Sequence, residues 1–319
     1  MIVGANGQDG KLLIRELIGF KNLHVYGVTK LQHDDFLSKN FRNVNFTLLK
    51  MESLNLTSIR NLIEQVKPHV IYYLAAANSS SQVMNSEWQE ARKQEINEIN
   101  VIVPYQFMTV IHEVSPDTIF LYCGSSKMFD AYKGTTEINE STPTDPESIY
   151  GITKSIGRQH TTVFRESHGL NTKCAILFNH ESEFRKETFL FQKLAMFFRN
   201  FLVDPNRKLV LENPDTKGDW HSARDTVKGL ILLANNSTLN ELVLGSGQLR
   251  NIRQVIDDYL IAHDFNERSE DIIKVESREV PIPTVLKSDI ALAKNYGWTP
   301  SESLVTVLCR MVGCHSMSD

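Results

Sequence analysis

The chain has 319 residues, 41% of them hydrophobic, which is enough apolar surface for one large domain or two modest ones. Its formal net charge of −4 and sequence pI near 6.2 give no basic excess, so we expect neither a nucleic-acid partner nor a membrane partner. The first residues carry no basic and apolar leader, and no window approaches the roughly 18 consecutive apolar residues of a membrane helix. We therefore expect a cytoplasmic protein.

Cysteines are few and scattered, at Cys123, Cys174, Cys309 and Cys314. This number and spacing favour reduced thiols over a disulfide framework. His315 follows Cys314, but the tail lacks the paired C-x2-C spacing of a zinc site. We predict no metal site.

A glycine-rich loop opens the chain. Gly4, Gly7 and Gly10 lie between a short apolar segment, residues 1–3, and the amphipathic run KLLIRELIGF. Strand, glycine turn and helix in this order are typical of a dinucleotide site, because helix N-terminal amides bind the pyrophosphate and glycine permits close approach. We predict such a site here, and the alternative is a glycine-rich turn of no special role.

The second predicted strand, residues 24–28, ends next to Lys30. About twenty residues past the glycines, NAD enzymes often carry an acid for the ribose, whereas a basic residue there suits the 2′-phosphate of NADP. Thr29, Lys30 and Leu31 include no carboxylate, which favours NADP over NAD, with Lys30 as the phosphate partner. A solvated lysine at a strand end is the alternative.

Strands and helices then alternate. Apolar runs at 44–51, 69–78 and 118–124 predict strands, and 56–67 and 98–114 predict helices. This alternation predicts an α/β fold with a Rossmann-like, doubly wound parallel sheet. Such sheets bind ligands at the carboxyl ends of their strands. Candidate cofactor residues there are Glu52, for the adenine amino group, and Leu74, Ala75 and Ala76, with Ser79 as a substrate candidate.

The most informative stretch runs from the strand at 118–124 to the next helix. Ser125, Ser126 and Lys127 follow the strand, and Tyr150 and Lys154 lie one turn apart on one face of the helix. An ammonium within roughly 4–6 Å of a phenol favours the phenolate, so Lys154 can make Tyr150 a proton acceptor while Ser125 binds the same substrate hydroxyl. The YxxxK spacing alone is weak, because a surface tyrosine and lysine give it as well.

The alternation becomes less regular from about residue 181. We predict an NADP-binding domain over 1–180, to which a segment at about 215–245 returns, and a smaller, mainly substrate-binding C-terminal portion over 181–319. The abrupt polar stretch NHESEFRKETF after the strand at 172–178 has the composition of a ligand loop. Further helices are predicted near 189–202, 252–265 and after 304.

Several longer motifs now carry a family resemblance over nearly the whole chain. They are GANGQDG, YYLAAAN, ESTPTDPESIYGITK, ILFNHESEFRKETF, KGDWHSARD and NYGWTP. In these the chain resembles the extended short-chain dehydrogenase/reductases and, within them, the GDP-mannose 4,6-dehydratases. The QDG and LFNHES pieces are much more specific than YxxxK.

The resemblance implies a hydro-lyase acting on a GDP-sugar. In that family bound NADP takes a hydride from C4, a base removes the C5 proton, water leaves from C6, and the hydride returns to C6. At matching positions it implies catalytic roles for Ser125, Ser126, Lys127, Tyr150 and Lys154. It adds Gln8 and Asp9 to the glycines as cofactor residues, together with Tyr150 and Lys154. For substrate binding it leaves a set of polar candidates, namely Ser79, Asn179, Glu181, Arg185, Lys193, Arg224 and Arg278.

Departures from the family pattern keep other functions open. The GDP-mannose enzymes have glutamate as the C5 base where this chain has Lys127, although related CDP-glucose and UDP-N-acetylglucosamine 4,6-dehydratases carry lysine there. Gly218 replaces a basic residue, which weakens the expected diphosphate contacts, and each candidate arginine could equally be a surface residue. A nucleotide-sugar 4-epimerase or 4-ketoreductase, or a non-catalytic sugar-nucleotide-binding homologue, are the alternatives. The resemblance also implies a homodimer or homotetramer.

Overall fold

The computed structural model describes residues 1–30, 34–41, 45–78, 86–201, 203–204, 206–276 and 285–313. The chain divides into two compact units. The first unit consists of Met1–Ala131, Glu140–Leu177 and Val227–Val243, and the second of Tyr132–Asn139, Phe178–Thr226 and Leu244–Asp319. Each unit has a hydrophobic core of its own.

In chain order, the strands of the described ranges are β1 (Ile2–Val3), β2 (Val25–Thr29), β3 (Phe46–Lys50), β4 (Val70–Tyr73), β5 (Ile119–Cys123), β6 (Thr135–Ile138), β7 (Thr172–Leu177), β8 (Asn179–Glu181), β9 (Leu209–Leu211), β10 (Lys217–Gly218), β11 (Trp220–Ser222), β12 (Glu241–Leu244), β13 (Arg250–Asn251), β14 (Ile273–Val275) and β15 (Val285–Ser288).

The α-helices are α1 (Gln8–Leu17), α2 (Asp35–Asn40), α3 (Leu56–Val66), α4 (Ser86–Asn97), α5 (Val103–Val114), α6 (Ile149–His168), α7 (Leu190–Phe201), α8 (Ala223–Asn235), α9 (Ile252–Ala262), α10 (Ser269–Ile272), α11 (Ala291–Asn295) and α12 (Leu304–Val312). A π-helical turn (Glu98–Ile102) leads into α5, and a 3-10 turn (Ser126–Phe129) follows β5. Within the described part of the chain, no helix is both long and apolar enough to cross a bilayer.

Seven described strands form the main sheet, in the order β12-β7-β5-β4-β1-β2-β3. The registered pairs β1–β2, β1–β4, β2–β3, β4–β5 and β5–β7 are parallel. The chain winds outward from β1 to β3 and then returns to β4 on the other side of β1. In an open parallel sheet, this reversal opens a ligand crevice at the strand carboxyl ends. The predicted Rossmann-like, doubly wound fold is therefore confirmed.

Helix α3 of the first unit buries one apolar face. In α3, the buried residues Ile59, Leu62 and Ile63 recur at helical spacing and pack with Ile71 and Tyr73 of β4. Burial of each such apolar side chain stabilises the folded state by about 1.5–3 kcal/mol relative to its exposure to water. The sequence pattern of α3 thus fixes which face meets the sheet.

The second unit is built around α7, α9 and α12, close to the predicted helices. Phe198 of α7 and Tyr259 of α9 have ring centroids 4.2 Å apart, and Leu308 and Met311 of α12 complete the core. The short strands β9 and β14 pair in parallel beside it. Aromatic residues therefore supply much of this smaller core.

Two buried aspartates explain part of the KGDWHSARD motif. The Asp219 carboxylate accepts hydrogen bonds from Ser246 Oγ at 2.7 Å and Ser288 Oγ at 2.6 Å. The Asp225 carboxylate accepts from Ser301 Oγ at 2.6 Å, and Trp298 Nε1 donates to the Asp225 carbonyl oxygen at 2.9 Å. These aspartates join segments that are distant in sequence, so a structural role accounts for them.

The polar segment before Tyr150 contains the strand β6. It pairs in parallel with β15, from Thr135 opposite Val285 to Ile138 opposite Ser288. Ile138 is the one buried residue of β6, so the sequence shows no apolar alternation that could have indicated a strand.

Candidate active site

The glycine loop packs closely against neighbouring backbone and leads into α1. Gly4 has φ +91°, and a Cβ on it would lie 2.7 Å from the backbone nitrogen of Ala75. A Cβ on Gly10 would lie 2.5 Å from the Gly4 carbonyl oxygen. Glycine is therefore required at both positions. Helix α1 begins at Gln8 after Gly7, and the first amides of a helix have no intrahelical acceptor, which suits a pyrophosphate.

The other candidate cofactor residues of this unit follow strand ends. Leu74 N donates to the Val3 carbonyl oxygen at 2.9 Å, which brings the ends of β4 and β1 together, and Ala75 and Ala76 come next. Lys30 is exposed at the end of β2. Asp9 of the first turn of α1 accepts a hydrogen bond from Gln8 Nε2 at 3.3 Å.

Glu52 follows β3 and is 81% exposed. Its carboxylate accepts a hydrogen bond from Lys50 Nζ at 2.7 Å. This bond and the charge of Lys50 hold the pKa of Glu52 below its usual value. An adenine amino group at this position would therefore share the carboxylate with Lys50.

The serine cluster lies in the 3-10 turn after β5. Ser125 begins the turn, and its Oγ accepts a hydrogen bond from Lys127 N at 3.2 Å. Ser126 is buried, whereas Lys127 is exposed. The structure thus presents Ser125 and Lys127 more openly than Ser126.

Two glycines bring α6 against this cluster. A Cβ on Gly151 would collide with the Lys127 carbonyl oxygen, and a Cβ on Gly157 would collide with the Tyr122 ring. Helix α6 can therefore approach the serine turn and β5 closely only with glycine at these positions. Tyr150, next to Gly151, is carried into the neighbourhood of the serine cluster.

Lys154 is buried, with 2% of its surface exposed, and faces Tyr150 as predicted. Its Nζ donates to the Cys123 carbonyl oxygen at 2.8 Å and lies 5.8 Å from the centre of the Tyr150 ring and 4.9 Å from that of Tyr122. Burial lowers the pKa of Lys154 to about 8. At neutral pH most of the population still carries the ammonium charge.

Asn100 is a site residue that the sequence analysis did not select. Its side chain exchanges hydrogen bonds with the backbone of Ala77, at 3.0 and 3.1 Å, and donates to Thr153 Oγ1 at 3.1 Å. Its carbonyl oxygen accepts from the Tyr122 hydroxyl at 3.0 Å. Asn100 therefore links the end of β4 to α6. An amide within the apolar run EINVIV was the available signal.

In the second unit, the polar loop predicted to bind ligand forms the short strand β8, which pairs in parallel with β11. Arg185 Nε lies 3.4 Å from the Glu181 carboxylate, and Arg224 Nη2 lies 2.5 Å from that of Glu183. The Arg185 guanidinium also covers the Phe189 ring at 3.8 Å. Two candidate arginines are thus held by carboxylates, one of which, Glu183, was not predicted.

The remaining candidates of this set are more dispersed. Asn179 is exposed at the start of β8, and Lys193 is exposed on α7. Ser79 and Arg278 lie outside the described residues. Among the residues that the structure describes, no group of three histidine, cysteine or acidic side chains could hold a metal ion.

The family model described as GDP-mannose 4,6 dehydratase matches residues 1–311. This chain belongs to the GDP-mannose 4,6-dehydratase family. The predicted resemblance is confirmed, and with it the assignment to a family of hydro-lyases. GDP-mannose 4,6 dehydratase 2 of Arabidopsis thaliana is 27% identical over 325 residues, which cover 98% of this chain and 85% of that protein.

Solved structures share the fold of this GDP-mannose 4,6-dehydratase family member. The dTDP-glucose 4,6-dehydratase of Bacillus anthracis, in complex with NAD, matches with a TM-score of 0.80 at 15% identity, over 98% of this chain and 94% of that one. The UDP-glucuronic acid 4-epimerase of Bacillus cereus, in complex with UDP-glucuronic acid and NAD, matches with a TM-score of 0.80 at 16% identity, over 98% and 97%. At these identities the likeness concerns the fold, which dehydratases and epimerases share.

Proposed function

We propose that this chain is a nucleotide-sugar 4,6-dehydratase that converts GDP-mannose, or a related GDP-hexose or GDP-heptose, to its 4-keto-6-deoxy product. One observation carries the proposal beyond family membership. The buried ammonium of Lys154 faces the Tyr150 ring, and Gly151 packs that turn of α6 against the segment that holds Ser125. A proton acceptor and a hydroxyl-binding group therefore belong to one site.

The cofactor in this proposal is NADP. The glycine loop suits a dinucleotide because α1 starts at the loop, and the first amides of a helix have no intrahelical acceptor. Structures of this fold hold NAD or NADPH. We choose NADP because the exposed Lys30 ends β2. When bound, NADP would supply the reversible hydride transfer that oxidation at C4 and reduction at C6 require.

The chain's own groups handle the protons. Tyr150 takes the proton of the C4 hydroxyl, because the Lys154 ammonium favours its phenolate. Ser125 hydrogen-bonds the same hydroxyl and orients it. Ser126, which is buried, is the remaining catalytic candidate of this turn.

Lys127 is our candidate for the C5 base. It stands where the GDP-mannose enzymes have glutamate, and it is exposed next to Ser125. Lys127 takes the C5 proton, which the neighbouring ketone makes acidic, and passes a proton to the C6 hydroxyl, which leaves as water. A lysine can accept the C5 proton only as the neutral amine.

We assign cofactor binding to the first unit and substrate binding mainly to the second. Arg185 and Arg224 are the candidates for the diphosphate, because guanidinium forks suit phosphate oxygens. Asn179, Glu181 and Lys193 are the accompanying polar candidates in the described chain. Ser79 and Arg278 complete the proposed set by resemblance.

The decisive experiment incubates the purified protein with GDP-mannose and catalytic NADP. A dehydratase gives a product that has lost one water and carries a C6 methyl and a C4 ketone, with no net consumption of cofactor. Mass spectrometry and proton NMR follow both changes. A panel of other GDP-, UDP-, CDP- and dTDP-sugars identifies the preferred substrate, and turnover of none of them would refute the proposal.

A 4-epimerase or 4-ketoreductase is the second candidate, because Lys127 replaces the glutamate base and an epimerase shares the fold. Both alternatives need Ser125, Tyr150 and Lys154 but no C5 base. Stoichiometric oxidation of NADPH with a 4-keto sugar would indicate the reductase. An isomeric product that retains its C6 hydroxyl would indicate the epimerase.

We also propose a cytoplasmic homodimer or homotetramer. Its support is the set of apolar side chains exposed near and on α5 and α6, namely Ile102, Tyr105, Ile149, Ile152 and Val163. Exposed apolar residues that lie together commonly mark a protein interface. Light scattering after size exclusion measures the mass, and a monomer at micromolar concentration would refute this part.

A further inference from the structure

Asp130 ties down the start of the helix that carries Tyr150. Its Oδ2 accepts a hydrogen bond from Ser148 Oγ at 2.6 Å, and its Oδ1 accepts from Glu147 N at 2.6 Å. Ser148 is the N-cap of α6, and its Oγ in turn accepts from Gly151 N at 3.0 Å. A continuous chain of hydrogen bonds therefore runs from Asp130 into the first turn of α6.

The same two segments are joined through their backbones. Asp145 N donates to the Met128 carbonyl oxygen at 2.9 Å, and Ala131 N donates to the Asp145 carbonyl oxygen at 3.0 Å. Asp130 lies between these contacts on the turn that begins at Ser125. Its carboxylate thus adds side-chain hydrogen bonds to a junction that these main-chain bonds also hold together.

The geometry of this junction bears on the separation of two reacting groups. On one side is the turn that holds Ser125, and on the other is the helical turn that holds Tyr150. The Ser148 hydroxyl donates its hydrogen bond to Asp130, so the lone pairs of the Ser148 oxygen remain available to accept from Gly151 N. A carboxylate near a helix N-terminus is also favoured by the helix dipole.

We propose that Asp130 is a positioning residue, which holds the phenol of Tyr150 at the right distance from the hydroxyl of Ser125 by fixing the Ser148 cap. It touches neither substrate nor cofactor in this role. The proposal rests on the proposed function for its kinetic consequences. Its structural part, that Asp130 stabilises the first turn of α6, does not depend on which reaction the protein catalyses.

The kinetic test compares Asp130→Ala, Ser148→Ala and the double variant in the full-length protein with NADP and the preferred sugar nucleotide. We expect each single variant to lower kcat about 10- to 100-fold, with KM within about twofold, because misplacement affects the reacting geometry. The double variant should lose no more than the worse single variant, because both act through one cap. Asp130→Asn keeps an acceptor for Glu147 N, and its amide nitrogen can donate to the Ser148 oxygen, so this variant should recover most of kcat.

Ser303→Ala is the matched control. Ser303 is the N-cap of α12 and accepts from Thr306 N at 3.1 Å, so its loss removes a similar cap from the second unit. We expect it to lower the melting temperature about as much as Ser148→Ala while leaving kcat unchanged. An equal loss of kcat in Ser303→Ala, or losses that multiply in the double variant, would overturn the positioning role.

Hydrogen exchange separates this proposal from the proposed function. Asp130→Ala should speed exchange of the amides at 149–152, whereas Ser303→Ala should not. Unchanged exchange in Asp130→Ala refutes this stabilisation of the turn, whatever the enzyme turns over. Faster exchange with an unchanged kcat reduces Asp130 to a cap without a kinetic role. If the wild type turns over no sugar nucleotide, the proposed function fails and the exchange result alone decides whether Asp130 stabilises the turn.

Discussion

The charges at the candidate binding regions, Lys154 in the first unit and two arginines in the second, are handled differently. In the first, the Lys154 ammonium is almost fully buried and meets a backbone carbonyl and two aromatic rings. In the second, Arg185 and Arg224 each lie against a carboxylate. The first arrangement lowers a pKa through desolvation, and the second neutralises charge locally.

The contrast separates two ways of preparing a site. Burying an ion costs free energy, and the carbonyl dipole and the two ring faces offset only part of that cost. A buried Lys154 is therefore best explained by an effect of its charge on a neighbouring group. A paired arginine costs less and stays oriented, and it can rearrange when a stronger anion arrives. The predictions below test whether these two regions really differ in this way.

The largest expected effect is at Tyr150. Tyr150→Phe removes the proton acceptor and should lower kcat by about 10³- to 10⁴-fold while NADP binding is retained. Steady-state turnover and a fluorescence titration of the cofactor measure the two quantities. Tyr296→Phe, at an exposed tyrosine of the second unit, should leave both unchanged. Residual turnover above one tenth in Tyr150→Phe would remove Tyr150 from the mechanism.

Lys154→Met should separate activity from stability. We expect kcat to fall at least about 100-fold, because the phenol loses its ammonium. Because the methionine places no charge in the interior, the free energy of unfolding at pH 7 should rise by roughly 1–3 kcal/mol. Urea unfolding of both proteins checks this. A less stable variant would mean that the contacts of Lys154 outweigh its desolvation.

The pH dependence follows from the same lysine. Its folded-state pKa of about 8 lies below the ordinary value of 10.5, so the unfolded chain binds more protons between these values. The penalty of burying the charge, on the order of 3 kcal/mol, is complete below pH 8 and fades as pH rises toward 10.5. The stability advantage of Lys154→Met should shrink over that window. The contribution of Lys154 to activity should also fall as pH rises through about 8, so the ratio of kcat in the wild type to kcat in Lys154→Met should shrink toward pH 10, and an unchanged ratio would contradict this.

The paired arginines should give a smaller, different effect. Arg185→Ala and Arg224→Ala should each raise KM about tenfold with kcat nearly unchanged, because they are proposed to bind the diphosphate rather than the reacting carbons. Arg253→Ala is the control, because Arg253 is also a paired arginine of this unit, 2.8 Å from Asp215. A fall in kcat without a change in KM would place these arginines elsewhere in the mechanism.

The smallest expected effect is on the preference for NADP over NAD. Lys30→Ala should reduce the preference for NADP over NAD by about tenfold, because one charge-assisted contact to the 2′-phosphate is lost. Lys21→Ala, another exposed lysine of the first unit, should not alter it. Equal affinities of Lys30→Ala and the wild type for NADP would show that Lys30 is a solvated surface lysine.

Local sequence patterns predicted those features of the fold and the site that depend on residues close together in the sequence. Apolar runs predicted the sheet, the spacing of the glycines predicted the opening loop, and the i,i+4 spacing predicted that Lys154 faces Tyr150. Contacts between distant segments left no such pattern. The pairing of Arg224 with Glu183 and the link from Asn100 to Thr153 depend on how strands and helices meet. The burial that lowers the pKa of Lys154 is likewise a property of the packed core.

The missing side chain at Gly151 has an evolutionary consequence. Adding a single methyl group there would push the helix off the neighbouring carbonyl while every reactive group stayed in the chain. A homologue that carries alanine here would thus lose its activity by one substitution, although all of its reactive residues would be retained. Conversely, replacing that alanine by glycine should by itself restore the activity of an inactive homologue.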